Sequence, residues 1–346
     1  MTGCLPAAIL WLGLARCATG SEPVALRVEN LTVPSSSGPL MHVLIANRGK
    51  ARYEGKVDVS VPEGWRLNRT RLRVRLRPGE TRRLDFAIER ALDNRRNRYR
   101  VAVVAEGGGR RVERTQEVVC ASAPYFQPRI DGKATEWDDA IPVSFVTRGK
   151  RTTIRTYWNH DAFCVLVEVQ EEDLSTRRKK PDEKIDAVQL AIARSGTATP
   201  SRPRARAERH EFLPVASFSW LRRSRCYRLL GPGARLVTGT QERDLDGLEC
   251  RDVALAVRRR NDVTTYECAI PFRLIPEIKP SEGREFFFSV LVHDPDGTGL
   301  REWGEAAGLW PWQRNPLAWC RWKGDSRGQA PPFDSRTEWG LCSSRH

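Results

Sequence analysis

Short stretches in which apolar and polar residues alternate run through most of the chain. The clearest is 72–77, where Leu72, Val74 and Leu76 alternate with arginines. Successive side chains of a strand point to opposite faces, so this period predicts a strand with one buried face. Similar stretches recur between residues 25 and 106 and are separated by turn sequences such as Pro78-Gly79. This repeated spacing predicts an antiparallel β-sandwich.

A second series of strand patterns begins after 128–140, a stretch that contains the turn signal Asp131-Gly132 and Trp137. The patterns lie at 156–169, 187–193, 253–257, 265–272 and 285–294. Residues 194–209 are rich in Arg, Pro and Ser without any period, which predicts an exposed loop. We therefore predict an all-β chain of two β-sandwich domains. The predicted divisions are a signal peptide at 1–20, a first sandwich at 21–121, a second at 122–323 and a flexible tail at 324–346.

The first residues of the chain predict export. Residues 5–15 form an apolar segment that suits a signal peptide and is too short to span a bilayer. The preceding residues carry no positive side chain, and Cys17 leaves lipidation open. We predict a secreted, periplasmic or cell-surface protein without a membrane span.

The chain is strongly basic, with 58 Lys and Arg against 43 Asp and Glu and a net charge of +15. Such an excess suits an acidic partner, but acidic residues are interspersed nearly everywhere, which favours solvated, mixed-charge surfaces. We predict no nucleic-acid partner and keep an anionic glycan open. Cleavage after Cys17 would leave seven cysteines, an odd number that implies a free thiol or an intermolecular bond. Their spacing does not indicate a zinc site.

Two stretches resemble known families. Residues 45–65 and 76–88 resemble the immunoglobulin-like domains attached to glycosidases, through an Asn-x-Gly strand end, a Val-Pro-x-Gly-Trp segment and a Pro-Gly-Glu turn. Residues 128–322 resemble a family 9 carbohydrate-binding module. The motifs that carry this resemblance are Ile130-Asp131-Gly132 with Glu136-Trp137, Trp158-Asn159-His160-Asp161, Asp186-x-Val188, Tyr266-Glu267 with Ile270-Pro271, Phe286-x-x-x-Val290-x-x-x-Asp294, and Asn315-Pro316.

The second resemblance implies a β-sandwich that binds sugars and accompanies polysaccharide-degrading enzymes. Two Trp side chains sandwich the sugar in well-understood family members, because pyranose C–H groups stack on aromatic faces. The first of these positions falls at or near Glu183, where this chain has no Trp. The resulting candidate carbohydrate-binding residues are Trp310, Trp312, Asn315, Arg301, Gln189 and Glu183. For Trp310 and Trp312, core packing remains the alternative.

The acidic turn at 293–297 is the candidate metal site. Asp294 and Asp296 could supply oxygen ligands to Ca²⁺, while an ordinary Asx turn explains the same residues. No other cofactor is predicted, and the ligand spacing of an EF-hand is absent from the sequence.

Three functions follow from these patterns. The first is an exported, non-catalytic protein that binds polysaccharide or another glycan, in the context of polysaccharide degradation. The second is a cell-surface interaction or structural module that has kept the fold and lost the sugar pocket. The third is a glycoside hydrolase, although the sequence has no Gly-x-Ser-x-Gly, His-Glu-x-x-His or phosphate-binding glycine motif.

Overall fold

A computed structural model of the chain describes residues 22–174, 185–195, 209–217, 223–234, 239–240, 245–303, 313–314 and 337–343. Strands make up nearly all of its regular structure. Within these ranges the helical elements are short 3-10 turns at Ser35–Ser37, Ala134–Glu136, Asp246–Leu248 and Phe272–Leu274. The prediction of an all-β fold is therefore confirmed.

The first eight strands form two four-stranded antiparallel sheets. They are β1 (Val24–Val28), β2 (Leu40–Asn47), β3 (Tyr53–Ser60), β4 (Arg66–Leu67), β5 (Arg71–Leu76), β6 (Thr81–Arg90), β7 (Tyr99–Gly107) and β8 (Arg110–Val118). The sheet orders are β1-β2-β6-β4 and β5-β3-β7-β8. In β5, Val74 and Leu76 are buried while the alternating arginines are exposed, so the predicted periodicity holds.

The remaining strands follow from residue 122. They are β9 (Ser122–Ala123), β10 (Val143–Thr147), β11 (Lys150–Trp158), β12 (Ala162–Gln170), β13 (Ala187–Arg194), β14 (Arg209–Val215), β15 (Arg225–Leu230), β16 (Gly239–Thr240), β17 (Ala254–Arg260), β18 (Val263–Pro271), β19 (Glu285–Asp294), β20 (Gly299–Trp303), β21 (Gln313–Arg314) and β22 (Glu338–Leu341). One sheet has the order β10-β11-β12-β18-β17. The larger sheet has the order β15-β14-β13-β19-β22-β9, with β20 also paired to β19. Strands β16 and β21 form a separate parallel pair.

Apolar side chains fill the space between these two larger sheets. Phe163 of β12 makes edge-to-face contacts with Phe286 and Phe288 of β19, with ring centroids 5.2 Å apart in both pairs. Alternate residues of β12 and β13, among them Val165 and Leu190, belong to the same buried cluster. Because every second residue of these strands enters this core, the residues between them lie on the outer faces.

The C-terminal strand β22 corrects the prediction of a flexible tail at 324–346. It lies between β19 and β9, antiparallel to the first and parallel to the second. Trp339 is fully buried, and its Nε1 donates a hydrogen bond to Thr156 Oγ1 at 2.9 Å. A four-residue strand flanked by polar sequence has too little periodicity to be distinguished from a tail. Residues 324–336 and 344–346 lie outside the described residues.

Buried polar contacts join the first pair of sheets to β22. Both Nη2–Oε distances from Arg27 to Glu338 are short, at 2.5 and 2.6 Å, and the backbone N–H of Asn30 donates to the same carboxylate. Leu31 forms a parallel bridge with Cys120. The boundaries predicted at residues 121, 122 and 323 stay a prediction. Within the described ranges, no helix combines the length and the apolarity needed to cross a membrane.

Candidate functional site

The stretch 128–140 is held in place by hydrogen bonds to Glu267. This buried carboxylate of β18 accepts hydrogen bonds from Trp137 Nε1 at 2.8 Å and from the backbone N–H groups of Asp131 and Gly132 at 2.9 and 2.5 Å. Burial is the largest influence on the Glu267 pKa and raises it. Gly132 has φ +79°, a conformation that glycine adopts readily. The motif therefore anchors a turn over the outer face of the smaller sheet.

Four polar side chains lie together on the outer face of the larger sheet. Arg209 and Glu211 come from β14, Gln189 from β13 and His293 from β19; we call this set the polar tetrad. All four are buried, with exposed fractions of 4% or less. Buried polar groups are usually hydrogen-bonded, and each of the four side chains makes at least one of the hydrogen bonds described below.

The tetrad forms a continuous hydrogen-bond chain. His293 Nε2 lies 3.0 Å from Gln189 Oε1, and Gln189 Nε2 donates to Glu211 Oε2 at 2.8 Å. Arg209 Nε donates to Glu211 Oε1 at 2.6 Å, and Arg209 Nη2 lies 2.6 Å from the same oxygen. The Arg209 and Glu211 charges offset one another, so the set has no net charge when His293 is neutral.

His293 supplies the one tetrad atom that has no partner. Burial lowers the pKa of His293 to about 3, so the imidazole is neutral at ordinary pH. Since the Gln189 carbonyl oxygen only accepts, Nε2 carries the ring proton and Nδ1 is an acceptor. Nδ1 is buried and has no hydrogen-bond partner. An unsatisfied buried acceptor costs about 1–3 kcal/mol, which a ligand donor could recover.

Strand register brings these residues together. Gln189 of β13 is directly opposite Leu291 of β19, and Ala187 is opposite His293, which places His293 diagonal to Gln189. Ala191 is opposite Glu211 of β14. Val188 and Leu190 point into the core between the sheets, so Gln189 must point outward. The tetrad therefore depends on a two-residue alternation in three neighbouring strands.

An apolar cluster adjoins the tetrad on the same outer face. Its buried members are Ile185, Ala187, Leu213, Val215 and Tyr227. Leu245 and Leu248 pack against it from the segment that contains the 3-10 turn Asp246–Leu248. A few convergent polar groups beside apolar side chains is the usual composition of a small-ligand site.

The structure separates the residues proposed from sequence. Gln189 belongs to the tetrad. Arg301 does not: it lies on the same face of β20 as Trp303, which is in the core, and its Nη2 pairs with Asp294. Arg301 therefore lies on the opposite face of the sheet from Gln189, and its predicted role in carbohydrate binding stays a prediction. Four further candidates lie outside the described residues: Glu183, Trp310, Trp312 and Asn315.

At the predicted metal site, Asp294 belongs to a buried ion-pair network. Asp294 is buried and accepts hydrogen bonds from Thr298 N at 2.9 Å and Thr298 Oγ1 at 2.6 Å, besides its contact with Arg301. Its carboxylate oxygens lie within 4.8 Å of those of Glu171 and Asp186, whereas Asp296 is exposed. The carboxyl group of Asp296 also interacts with that of Asp294, and burial raises its pKa. Asp294 and Asp296 as joint metal ligands therefore stay a prediction.

Two guanidinium groups supply positive charge to this network. Arg301 contacts Asp294, and Arg259 Nη1 lies 3.3 Å from Glu171 Oε1. Burial raises the pKa of Glu171 to about 7, so this carboxyl takes up a proton near neutral pH. Three carboxyl groups are therefore compensated by two arginines and a proton, and Ca²⁺ binding stays a prediction.

Sequence reasoning missed three members of the tetrad. Arg209 falls at the end of the loop predicted at 194–209, and Glu211 follows two residues later. His293 falls in the acidic turn at 293–297. A usable signal existed in polar residues that interrupt apolar strands, as Gln189 does between Val188 and Leu190. Only the register across β14, β13 and β19 shows that these interruptions meet.

Comparison with known proteins gives distant structural similarity. No protein-family profile and no curated protein sequence matches the chain. A family 9 carbohydrate-binding module from Caldicellulosiruptor kristjanssonii, solved with cellotriose, is similar over 65% of this chain and 94% of its own, at 14% identity and a TM-score of 0.41. A family 9 module from the same organism, solved with glucose, is similar over 64% of this chain and 95% of its own, at 14% identity and a TM-score of 0.40. A FixG-related protein from Vibrio parahaemolyticus is similar over 29% of this chain and 97% of its own, at 12% identity and a TM-score of 0.22.

Proposed function

We propose that the protein binds carbohydrate non-catalytically, through the outer face of its larger sheet at the polar tetrad. The observation that carries this proposal is His293 Nδ1, a buried acceptor without a partner beside three fixed polar side chains. The resemblance of residues 128–322 to family 9 modules implies a polar pocket position near Gln189, and Gln189 is a member of the tetrad.

The chemistry of the tetrad suits a hydroxyl-rich ligand. A sugar hydroxyl can donate to His293 Nδ1 and accept from Arg209 or Gln189 with its lone pairs. The hydrogen bonds from Gln189 and Arg209 to Glu211 hold these groups in place before a ligand arrives, which lowers the entropic cost of binding. The proposal also includes stacking of the sugar ring on Trp310 and Trp312, as expected from the sequence.

Binding of the whole chain to neutral and acidic polysaccharides, at low and high salt, tests the proposal. We expect His293→Leu to weaken glycan binding by about five- to tenfold, because one buried hydrogen bond is worth about 1–1.4 kcal/mol. The matched control is His42→Gln, a histidine that pairs with Asp85 at 2.7 Å in the first pair of sheets and should leave binding unchanged.

Salt and folding controls make the outcome decisive. Salt-resistant binding that His293→Leu weakens by this factor, with the circular dichroism of the wild type retained, supports the proposal. Binding that disappears at high salt in wild type and variant alike would assign retention to surface arginines instead. Turnover of the polysaccharide would favour the hydrolase hypothesis.

A second candidate function is an interaction module without a sugar pocket. Its supporting observation is that Gln189, Arg209 and Glu211 satisfy one another, so the tetrad can also be a structural network. Failure of every glycan to bind the folded wild-type chain would favour it. Export to the cell surface or beyond belongs to both proposals and rests on the apolar segment 5–15; peptide mapping of the mature N-terminus from expressing cells tests it.

A further inference from the structure

Two cysteines face each other where the open edges of the second pair of sheets meet. Cys226 belongs to β15, the end strand of the larger sheet, and Cys250 precedes β17, the end strand of the smaller one. Tyr227 and Glu249 form an isolated antiparallel bridge, so the next positions outward are Cys226 and Cys250. The backbone N–H of Cys250 donates to the carbonyl of Cys226 at 2.8 Å.

The two side chains also lie on the same side of this bridge. Cys226 is a buried member of the core between the sheets, and Cys250 is partly buried and packs against that core. Directly opposite residues in a hydrogen-bonded antiparallel pair have Cα atoms about 5.5 Å apart. Disulfides usually span Cα separations of roughly 4.4–6.8 Å. The backbone therefore holds the two cysteines within the range of a cross-link.

We propose that Cys226 and Cys250, which are free thiols in the structure, form an intramolecular disulfide when a disulfide oxidant such as oxidised glutathione is present. Cys250 is the more accessible of the two and reacts first. Its thiolate attacks one sulfur of the oxidant, which releases one glutathione thiol and leaves a mixed disulfide. Cys226 then loses its proton and attacks Cys250 Sγ, releasing the second glutathione thiol.

The two steps together conserve atoms and electrons. Two protein thiols are oxidised to one disulfide, and one oxidised glutathione is reduced to two thiols. The second step is expected to be slow, because burial raises the Cys226 pKa and keeps the thiol protonated. The cross-link would join the edges of the two sheets next to the isolated Tyr227–Glu249 bridge.

Peptide mapping of the full-length chain tests the proposal. The folded protein is incubated with oxidised glutathione at mildly alkaline pH, alkylated in denaturant without reductant, and digested with trypsin. We expect peptide 226–228 joined to peptide 244–251, and its disappearance after reduction. Cys250→Ser should lose this species, whereas the control Cys164→Ser should retain it, because Cys164 lies in a different apolar cluster under Trp137.

Stability provides an independent readout. Reductant should lower the urea midpoint of the oxidised wild type and leave that of Cys250→Ser unchanged. Full alkylation of both cysteines after oxidation of the folded chain would overturn the proposal. A bond from Cys250 to another cysteine, to a second chain, or only after prior unfolding would overturn it equally.

Discussion

At the scale of single residues, buried polar groups define the two regions that distinguish this sandwich. Glu267 collects three donors from the turn at 128–140, and Gln189 links His293 to Glu211. Each arrangement replaces the hydration that these groups lose on burial. Substitution of the shared acceptor should therefore cost more than substitution of an exposed charge.

Glu267→Ala tests this expectation. It removes the acceptor of Trp137 Nε1 and of two backbone N–H groups, so we expect the free energy of unfolding to fall by about 3 kcal/mol or more. Urea denaturation measures the change. Glu113→Ala, which removes an exposed pairing with Arg111, is the control and should cost less than about 1 kcal/mol. Equal small effects for both variants would contradict an anchoring role for Glu267.

At the scale of elements, β22 completes the larger sheet from the far end of the sequence. Trp339 enters the core, where its ring meets Phe288 edge to face with centroids 5.0 Å apart. At Gly340 an added Cβ would lie 1.9 Å from the carbonyl oxygen of Thr32, so only glycine fits this approach to the first pair of sheets. The strand therefore belongs to the core of one sandwich and to the contact with the other.

Trp339→Ala should reduce the free energy of unfolding by about 3–5 kcal/mol, because a fully buried large side chain leaves a cavity. The control is Val146→Ala, which alters a side chain that is 57% exposed and should change stability by less than about 0.5 kcal/mol. Urea denaturation compares the two variants, with unfolding followed by far-UV circular dichroism because one variant lacks a tryptophan. A near-neutral Trp339→Ala would mean that β22 is dispensable to the fold.

At the scale of the whole molecule, the ion pair Arg27–Glu338 joins the first sandwich to the C-terminal strand in a buried environment. Arg27→Met alone leaves the Glu338 carboxylate buried and unpaired, which should cost about 3–5 kcal/mol. Arg27→Met combined with Glu338→Gln removes both charges and should recover much of that loss. A double-mutant cycle in urea measures the coupling; strictly additive effects would show that the two charges do not interact.

The pH dependence of stability should contain two opposing contributions. The folded-state pKa of Glu171 is raised from 4.5 to about 7, so its contribution to stability falls as pH rises between those values. The folded-state pKa of His293 is lowered from 6.5 to about 3, so its contribution is lost as pH falls below 6.5. Between pH 4.5 and 6.5 the two slopes have opposite signs.

Variants separate these contributions. Relative to wild type, Glu171→Gln should make stability increase more steeply with pH in this window, and His293→Leu should make it increase less steeply. Each difference is limited to about 1.4 kcal/mol per pH unit, the value for one proton. Urea midpoints across the window measure the slopes. Slope changes of the same sign in both variants would contradict the assigned protonation states.

Local patterns in the sequence were sufficient to locate many of the strands and one of the turns. The two-residue alternation in β5 and β12 identified strands and their buried faces, because a strand repeats its orientation every second residue. The motif at 130–137 located a turn that the structure confirms. The sequence also offered Gln189 as a binding residue without naming its partners in the polar tetrad, and its role in binding stays a prediction.

The identity of the residues that meet across strands could be learned only from the folded chain. Arg209, Glu211 and His293 join Gln189 through the register of three strands, and register depends on pairings between segments far apart in the chain. The same cause assigned Arg301 to Asp294 and placed the short strand β22 inside the core. Local periodicity specifies which face of a strand is buried, whereas contacts between distant strands depend on the packing of the whole sheet.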